Sequence, residues 1–329
     1  MSSILEKTVE HVVMFGNSDS SSKPKVVNYN IGELPRNLNV SLFERWEVSR
    51  GEMIRLKEQW RMHSKVATVV HQFYAPPTTN IDNKIYSKNR RMDVLYGISQ
   101  RTYYVEYQAD RSDPGINDHY STSPHTEFTN AEVNEARFVT HLAVYMSQQP
   151  YPVPQVTILT LTVQQKYIIR RILLEEIPGR TSFLNNISSI AVDSVDQITR
   201  HESSFVIIST ATPGKSNSYV NNVPFALTRA RYGLMVIGKP GVDKVHYLWN
   251  YFAEHMKNRR LDGKSLQLTC HTHAVSAPMS YWTDFIQMKN SGCDQPCRFL
   301  MSCGHVCPED LIIPEYSHPN RDLNQVSNT

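Results

Sequence analysis

The sequence predicts an α/β fold: a parallel sheet with helices on both faces, followed by a small Cys/His-rich C-terminal tail. Three observations carry this. Apolar strand-like runs alternate with helix-period segments through residues 1–262, the pattern in which a helix packed on the sheet joins each strand to the next. The runs read as buried strands, apolar at successive positions, as a sheet covered on both faces requires. All five cysteines, Cys270, Cys293, Cys297, Cys303 and Cys307, fall in the last fifth of the chain, behind a change of composition near residue 262. With 329 residues, 40% of them hydrophobic and 20% charged, the chain is long enough for one large domain or two smaller ones with real cores.

In chain order, Val12–Phe15 reads as the first strand. Residues 75–125 are rich in Pro, Asn, Ser, Asp and Tyr and are expected to be a largely irregular insertion with one strand at Thr102–Tyr107. Ala131–Met146 has apolar residues at three- and four-residue spacing and reads as a helix, then Val156–Leu159 as a strand. Val163–Glu176 is a second helix of the same kind, followed by strands at Phe205–Ile208 and Leu234–Ile237. Ligands of doubly wound folds sit at the carboxyl ends of the strands, so the arginine-bearing segments described below are expected at that edge. The last stretch, 310–329, is polar and expected to be partly disordered.

The formal net charge of +3 neither demands nor opposes a polyanionic partner. The basic and aromatic stretch Lys84–Tyr104, with Lys88, Arg90, Arg91 and Arg101, reads either as an RNA-contacting surface or as a solvated face. No apolar run approaches the roughly 18 residues needed to cross a bilayer, and the first residues lack the pattern of a signal peptide. The protein is therefore expected inside the cell, without a membrane partner. Five clustered cysteines in such a chain point to a metal site rather than a disulfide framework.

Two segments carry arginines suited to phosphate. Ala226-Leu-Thr-Arg-Ala-Arg-Tyr-Gly233 precedes an apolar strand, and Glu58-Gln-Trp-Arg-Met-His63 lies upstream. A guanidinium stays charged and meets phosphate oxygens with a planar fork, which stabilises the charge of phosphoryl transfer. In this order the segments resemble motifs of superfamily 1 helicases, in the branch of the nonsense-mediated-decay helicase and its NFX-type zinc-finger relatives in RNA silencing. The resemblance implies a RecA-like fold. It further implies that Arg229 is the arginine finger, that Arg61 meets the terminal phosphate, and that Arg231 also faces nucleotide. The alternative reading of this segment is a surface arginine beside a core Trp60.

Other segments match the same family less fully. Val156–Gln165 resembles the motif whose edge faces single-stranded RNA, with Thr160 and Gln165 as its implied contacts. Ala191–Ser209 resembles the next motif, in which Asp196 is implied on the RNA side and Glu202 is implied to hydrogen-bond the nucleotide ribose, with a carboxylate capping a strand-end turn as the alternative reading of Glu202. Thr199 and Arg200 stand where that motif has Gln-Gly. His11–Pro24 shares only Gly16 and Pro24 with the phosphate-sensing motif, and Ser20–Ser22 replace its glutamine stretch.

A phosphate loop of the form Gly-x-x-x-x-Gly-Lys-Thr/Ser is missing from the sequence. Its nearest imitation, Ser209-Thr-Ala-Thr-Pro-Gly-Lys-Ser216, has serine for the first glycine, and no Asp-Glu pair occurs to hold magnesium. Residues 1–262 are thus expected to be a second RecA-like domain without the first, using ATP and Mg only when a first domain completes the cleft. Residues 263–309 resemble a partial NFX-type finger in which Cys293, Cys297, Cys303, His305 and Cys307 offer five candidates for the four places around zinc. Two functions stay open. One is the C-terminal half of an ATP-dependent RNA helicase, inactive as an ATPase alone. The other is a non-catalytic RNA- or protein-binding module derived from such an enzyme. Expected partners are single-stranded RNA and either a first RecA-like domain in trans or silencing-complex proteins.

Overall fold

The structure, a computed structural model, describes residues 58–73, 82–83, 95–108, 129–147, 149, 155–177, 190–195, 197, 202–211, 223–238, 247–270 and 275–287. They belong to one compact unit, Glu58–Thr329. The strands are β1 (Glu58–Gln59), β2 (Asp82–Asn83), β3 (Gly97–Ile98), β4 (Thr102–Glu106), β5 (Val156–Thr160), β6 (Ile190–Ser194), β7 (Ser203–Ser209), β8 (Ala230–Gly238), β9 (Asp262–Gly263), β10 (Leu266–Thr269) and β11 (Ser276–Met279). The α-helices are α1 (Ser64–Val70), α2 (Asn130–Ser147), α3 (Val163–Glu175), α4 (Val223–Leu227), α5 (Tyr247–Asn258) and α6 (Trp282–Gln287).

Six of these strands form one sheet in the order β6-β5-β7-β8-β4-β9, and every neighbouring pair is parallel. Side chains alternate across a strand, and here both faces are apolar. Val105, Ile158, Phe205, Ile207, Met235 and Ile237 join one core with α2 and α3 residues such as Val139, Leu142 and Ile169. Tyr104, Leu159, Val206, Ile208, Leu234 and Val236 join a second core with α1, α4 and α5. Each fully buried Ile or Phe contributes roughly 1.5–3 kcal/mol, so the two cores together set the sheet's register. The expected parallel sheet with helices on both faces is what the structure has.

Local signals explain the helix starts. Thr162 caps α3, its hydroxyl accepting from the Gln165 amide at 3.2 Å. In the first turn of α2, the Glu132 carboxylate accepts from the Thr129 amide at 2.8 Å. Gly233 is required by close approach, since a Cβ there would lie 2.3 Å from Cδ2 of Phe205.

The predicted helices and the strands of the second half fall where the sequence put them, and Val12–Phe15 lies outside the described residues. The strand expected within the 75–125 segment is also present. The strand at residue 102 stands inside the sheet, pairing with β8 from Thr102↔Leu234 to Glu106↔Gly238. Its apolar positions Tyr104 and Val105 are buried on opposite faces, so this part of the 75–125 segment is core. Nor does packing stop at residue 262: β10 pairs antiparallel with β11 and β3, and Leu266, Leu268, Met279 and Phe285 enter the first core.

Candidate functional site

A parallel sheet has two unlike edges, and the sequence-predicted residues divide between them. At the amino edge Glu202 immediately precedes β7, while Arg229 and Arg231 bracket the start of β8. Main-chain bonds fix these segments to one another. The Ser203 amide donates to the Arg229 carbonyl at 3.0 Å, and the His63 amide donates to the Arg231 carbonyl at 2.7 Å, which ties the Arg61 segment to β8. Three residues far apart in sequence thereby meet. Arg231 donates from Nε and Nη2 to Glu202 Oε2 at 3.2 and 3.1 Å, and Arg61 Nε pairs with Glu202 Oε1.

Each carboxylate oxygen thus serves one guanidinium. The Glu202 side chain keeps 21% of its exposure while Arg61 and Arg231 keep 40% and 48%, so both cations face solvent. Two positive charges around one negative charge leave a net positive patch with forked donors, an arrangement suited to phosphate oxygens. Arg61 is oriented from below: Gln59 Oε1 accepts from the Arg61 and Met62 amides at 3.1 and 2.8 Å. Trp60, a core residue in the alternative reading of this segment, is 60% exposed beside it.

Arg229 is turned inward. It is 7% exposed, with its guanidinium 4.2 Å from the Phe225 ring centre. Nε donates to the Phe225 carbonyl and Nη2 to the Thr228 hydroxyl, both at 3.2 Å. Its side chain therefore folds back on the turn that carries it.

These positions correct one expectation. The arginine segments lie at the amino ends of β7 and β8 rather than the carboxyl ends, because Arg229 precedes β8, Arg231 opens it, and the His63 amide ties the Arg61 segment to that same end. Arg101 also departs from both of its readings. It is buried and donates from Nη1 to the Tyr232 carbonyl at 3.1 Å, bracing β4 against β8.

The carboxyl edge carries Thr160 and Gln165, both fully buried. Thr160 donates to the Thr162 carbonyl at 2.7 Å. Its strand neighbours are Ser194 on β6 and Ser209 on β7, so three buried hydroxyls form a row. Gln165 Nε2 donates to the Glu132 carbonyl at 3.1 Å and to Ser209 Oγ at 3.3 Å, while its Oε1 and Ser194 Oγ are buried with no hydrogen-bond partner among the described residues. Lys166 pairs with Asp193 at 2.7 Å and donates to Gln197 Oε1 at 2.8 Å.

Behind this row stands Glu135 of α2, which the sequence reading did not single out. Its Oε1 accepts from Ser209 Oγ at 2.7 Å and from the Ala211 amide at 2.9 Å. Burial raises its pKa from 4.5 to about 7, opposed by these donors and aided by the charge of Glu132. A signal existed. Glu135 lies one turn before Val139 on the buried face of α2, a carboxylate in phase with apolar residues.

Asp196, Thr199, Arg200, residues 11–24, residues 212–216, and the metal candidates Cys293, Cys297, Cys303, His305 and Cys307 lie outside the described residues. Among the described residues no group of three His, Cys, Asp or Glu side chains could hold a metal ion, and no helix is long and apolar enough to cross a membrane.

Known proteins match this chain across the same region. The family described as an AAA domain matches residues 38–241, which span β1 through β8. The NFX1-type zinc finger-containing protein 1 of Mus musculus is 26% identical over 322 residues, covering 95% of this chain and 15% of its own length. The helicase required for RNAi-mediated heterochromatin assembly 1 of Schizosaccharomyces pombe is 24% identical over 237 residues, 70% of this chain and 21% of the relative. The regulator of nonsense transcripts 1 homolog of Neurospora crassa is 26% identical over 231 residues, 68% of this chain and 20% of the relative. This chain therefore spans about a fifth or less of each of these relatives.

Proposed function

The chain belongs to the AAA-domain family and is related to superfamily 1 helicases, and from that premise we propose that it is the second RecA-like half of an ATP-dependent RNA helicase of the RNA-silencing type. The observation that carries this is the convergence of Arg61 and Arg231 on one carboxylate at the amino edge of the sheet. In this reading Arg231 offers a two-donor fork and Arg61 a further donor to phosphate oxygens of ATP. Arg229 joins them as the arginine finger after leaving its cradle on Phe225. The charge these guanidiniums neutralise is the charge that grows as the phosphoryl group transfers.

ATP fits the donors present. Magnesium does not, because the Glu202 carboxylate is held by two guanidiniums. Hydrolysis in this reading requires a first RecA-like domain. Single-stranded RNA would lie along the carboxyl edge, where Thr160 and Gln165 shape the strand-to-helix turn from within, and the family resemblance adds Asp196 as a further contact. Zinc belongs to the same reading, with four of Cys293, Cys297, Cys303, His305 and Cys307 as its ligands. Direct metal analysis checks it: about one equivalent is expected, and under half an equivalent means free thiols.

The test is ATP binding by the purified chain, wild type against the double variant Arg61→Ala/Arg231→Ala. At least tenfold weaker binding by the variant is expected, and equal binding removes the arginine pair from the nucleotide site. A second reading, a non-catalytic RNA- or protein-binding module, is favoured by the inward posture of Arg229. It predicts RNA binding that neither ATP nor the arginine variants alter.

A further inference from the structure

The resemblance to helicases implies that Glu202 hydrogen-bonds a ribose, yet both of its oxygens are already engaged. Oε2 takes two donors from Arg231 at 3.1 and 3.2 Å, and Oε1 takes the Arg61 Nε. The engagement is built into the backbone. Ser203 is tied to Arg229, and His63 to Arg231, so the Glu202 carboxylate and both guanidiniums are delivered to one point by main-chain hydrogen bonds. The carboxylate is also the most enclosed of the three groups, at 21% exposure beneath two solvent-facing cations.

We propose that Glu202 is a resident counter-anion, a positioning residue that holds Arg61 and Arg231 in the geometry of a phosphate site and competes with polyphosphate for them. This rests on the reading of the amino edge as the nucleotide site. A carboxylate presents two oxygens to guanidinium forks much as a phosphoryl group does. With the site empty, Glu202 keeps the two cations from repelling one another and spares them a search among rotamers. When a polyphosphate of higher charge arrives, the guanidiniums exchange their partner for it. Capture is then a displacement whose threshold the chain sets through Glu202, and the ribose takes no part in it.

The ribose role and the counter-anion role predict opposite results for Glu202→Gln. The amide keeps the shape and one acceptor but gives up the charge, so the arginines are released to an incoming anion. The experiment titrates the full chain with inorganic tripolyphosphate and with ATP, following the side-chain Nε–H resonances of Arg61 and Arg231 by NMR. Expected for Glu202→Gln is a three- to tenfold gain in affinity for both ligands, by the same factor. Glu202→Asp retains the charge and should stay within twofold of wild type, which also controls for folding.

Weaker ATP binding with unchanged tripolyphosphate binding would assign Glu202 to the ribose and overturn the proposal. Wild-type binding that disappears in Arg61→Ala/Arg231→Ala, with no gain in Glu202→Gln, overturns the counter-anion role but leaves the nucleotide site standing. Binding that survives loss of both arginines, or no binding by any form, overturns the nucleotide site and the counter-anion role together.

Discussion

Glu135 and Glu202 are carboxylates at opposite edges of one sheet, and they differ in what surrounds them. Glu202 lies at the amino edge between two solvent-facing guanidiniums. Glu135 lies fully buried at the carboxyl edge, where its hydrogen bonds come from a serine hydroxyl and a backbone amide. The same functional group is therefore a soluble ion-pair partner in one place and a neutral-prone structural clamp in the other. The difference teaches where each edge stores its free energy. In the buried row a lost partner leaves donors that water cannot reach, whereas at the exposed cluster water and salt compensate for most of what is lost.

The largest effect should come from breaking the clamp. Glu135→Ala leaves Ser209 Oγ and the Ala211 amide without their acceptor and opens a void between α2 and β7. A loss of about 3–4 kcal/mol is expected from unmade hydrogen bonds and cavity together, read by urea denaturation at pH 6. A loss below about 1 kcal/mol would mean that water or a rearranged Gln165 replaces the carboxyl, and the contrast between edges would collapse.

The next effect is the pH dependence that the clamp confers. The folded chain holds a Glu135 proton up to about pH 7, while the unfolded chain releases it near 4.5. Between those values the folded state binds more protons than the unfolded state, so stability falls as pH rises through that window and levels off above it. The decline attributable to this group is on the order of 3.5 kcal/mol, at about 1.4 kcal/mol for each pH unit between the two values. Glu135→Gln cannot ionise and still accepts from Ser209 and Ala211. Its stability curve should lack that decline, and a variant curve parallel to the wild type would place the proton elsewhere.

Much of this arrangement was legible in the sequence, for reasons that separate the two edges again. The strands at 156, 203 and 230 announced themselves because a sheet buried on both faces needs unbroken apolar runs, and the α2 and α3 periods fitted helices lying on it. The arginines were legible as chemistry but not as places. The carboxyl-edge rule applies to residues that follow strands, and Glu202, Arg229 and Arg231 precede or open theirs. That Glu202 would lie between Arg61 and Arg231 could not be read at all, since it depends on the register of β7 against β8 and on the His63 amide reaching the Arg231 carbonyl. Trp60 and Arg101 exchanged the environments their types suggest for a related reason: position relative to a strand end decides burial. Glu135 was readable in principle, as an acid on the apolar stripe of α2, and its role became visible only when Ser209 and Ala211 were seen to point at it.

The smallest expected effect sharpens the comparison most. Glu202→Ala removes two ion pairs at once, yet its partners are 40% and 48% exposed, so each pair contributes little to folding once solvent screening is included. The main-chain bonds from Ser203 to Arg229 and from His63 to Arg231 do not involve the carboxylate and should survive. The expected change in unfolding free energy is under about 1 kcal/mol, shrinking further as salt rises toward 1 M, where the screening length is only about 3 Å. A loss comparable to that of Glu135→Ala, insensitive to salt, would show that the amino edge is held together by Glu202 itself. The arginine cluster would then be part of the fold's scaffold, and the contrast between a structural edge and a ligand-facing edge would have to be abandoned.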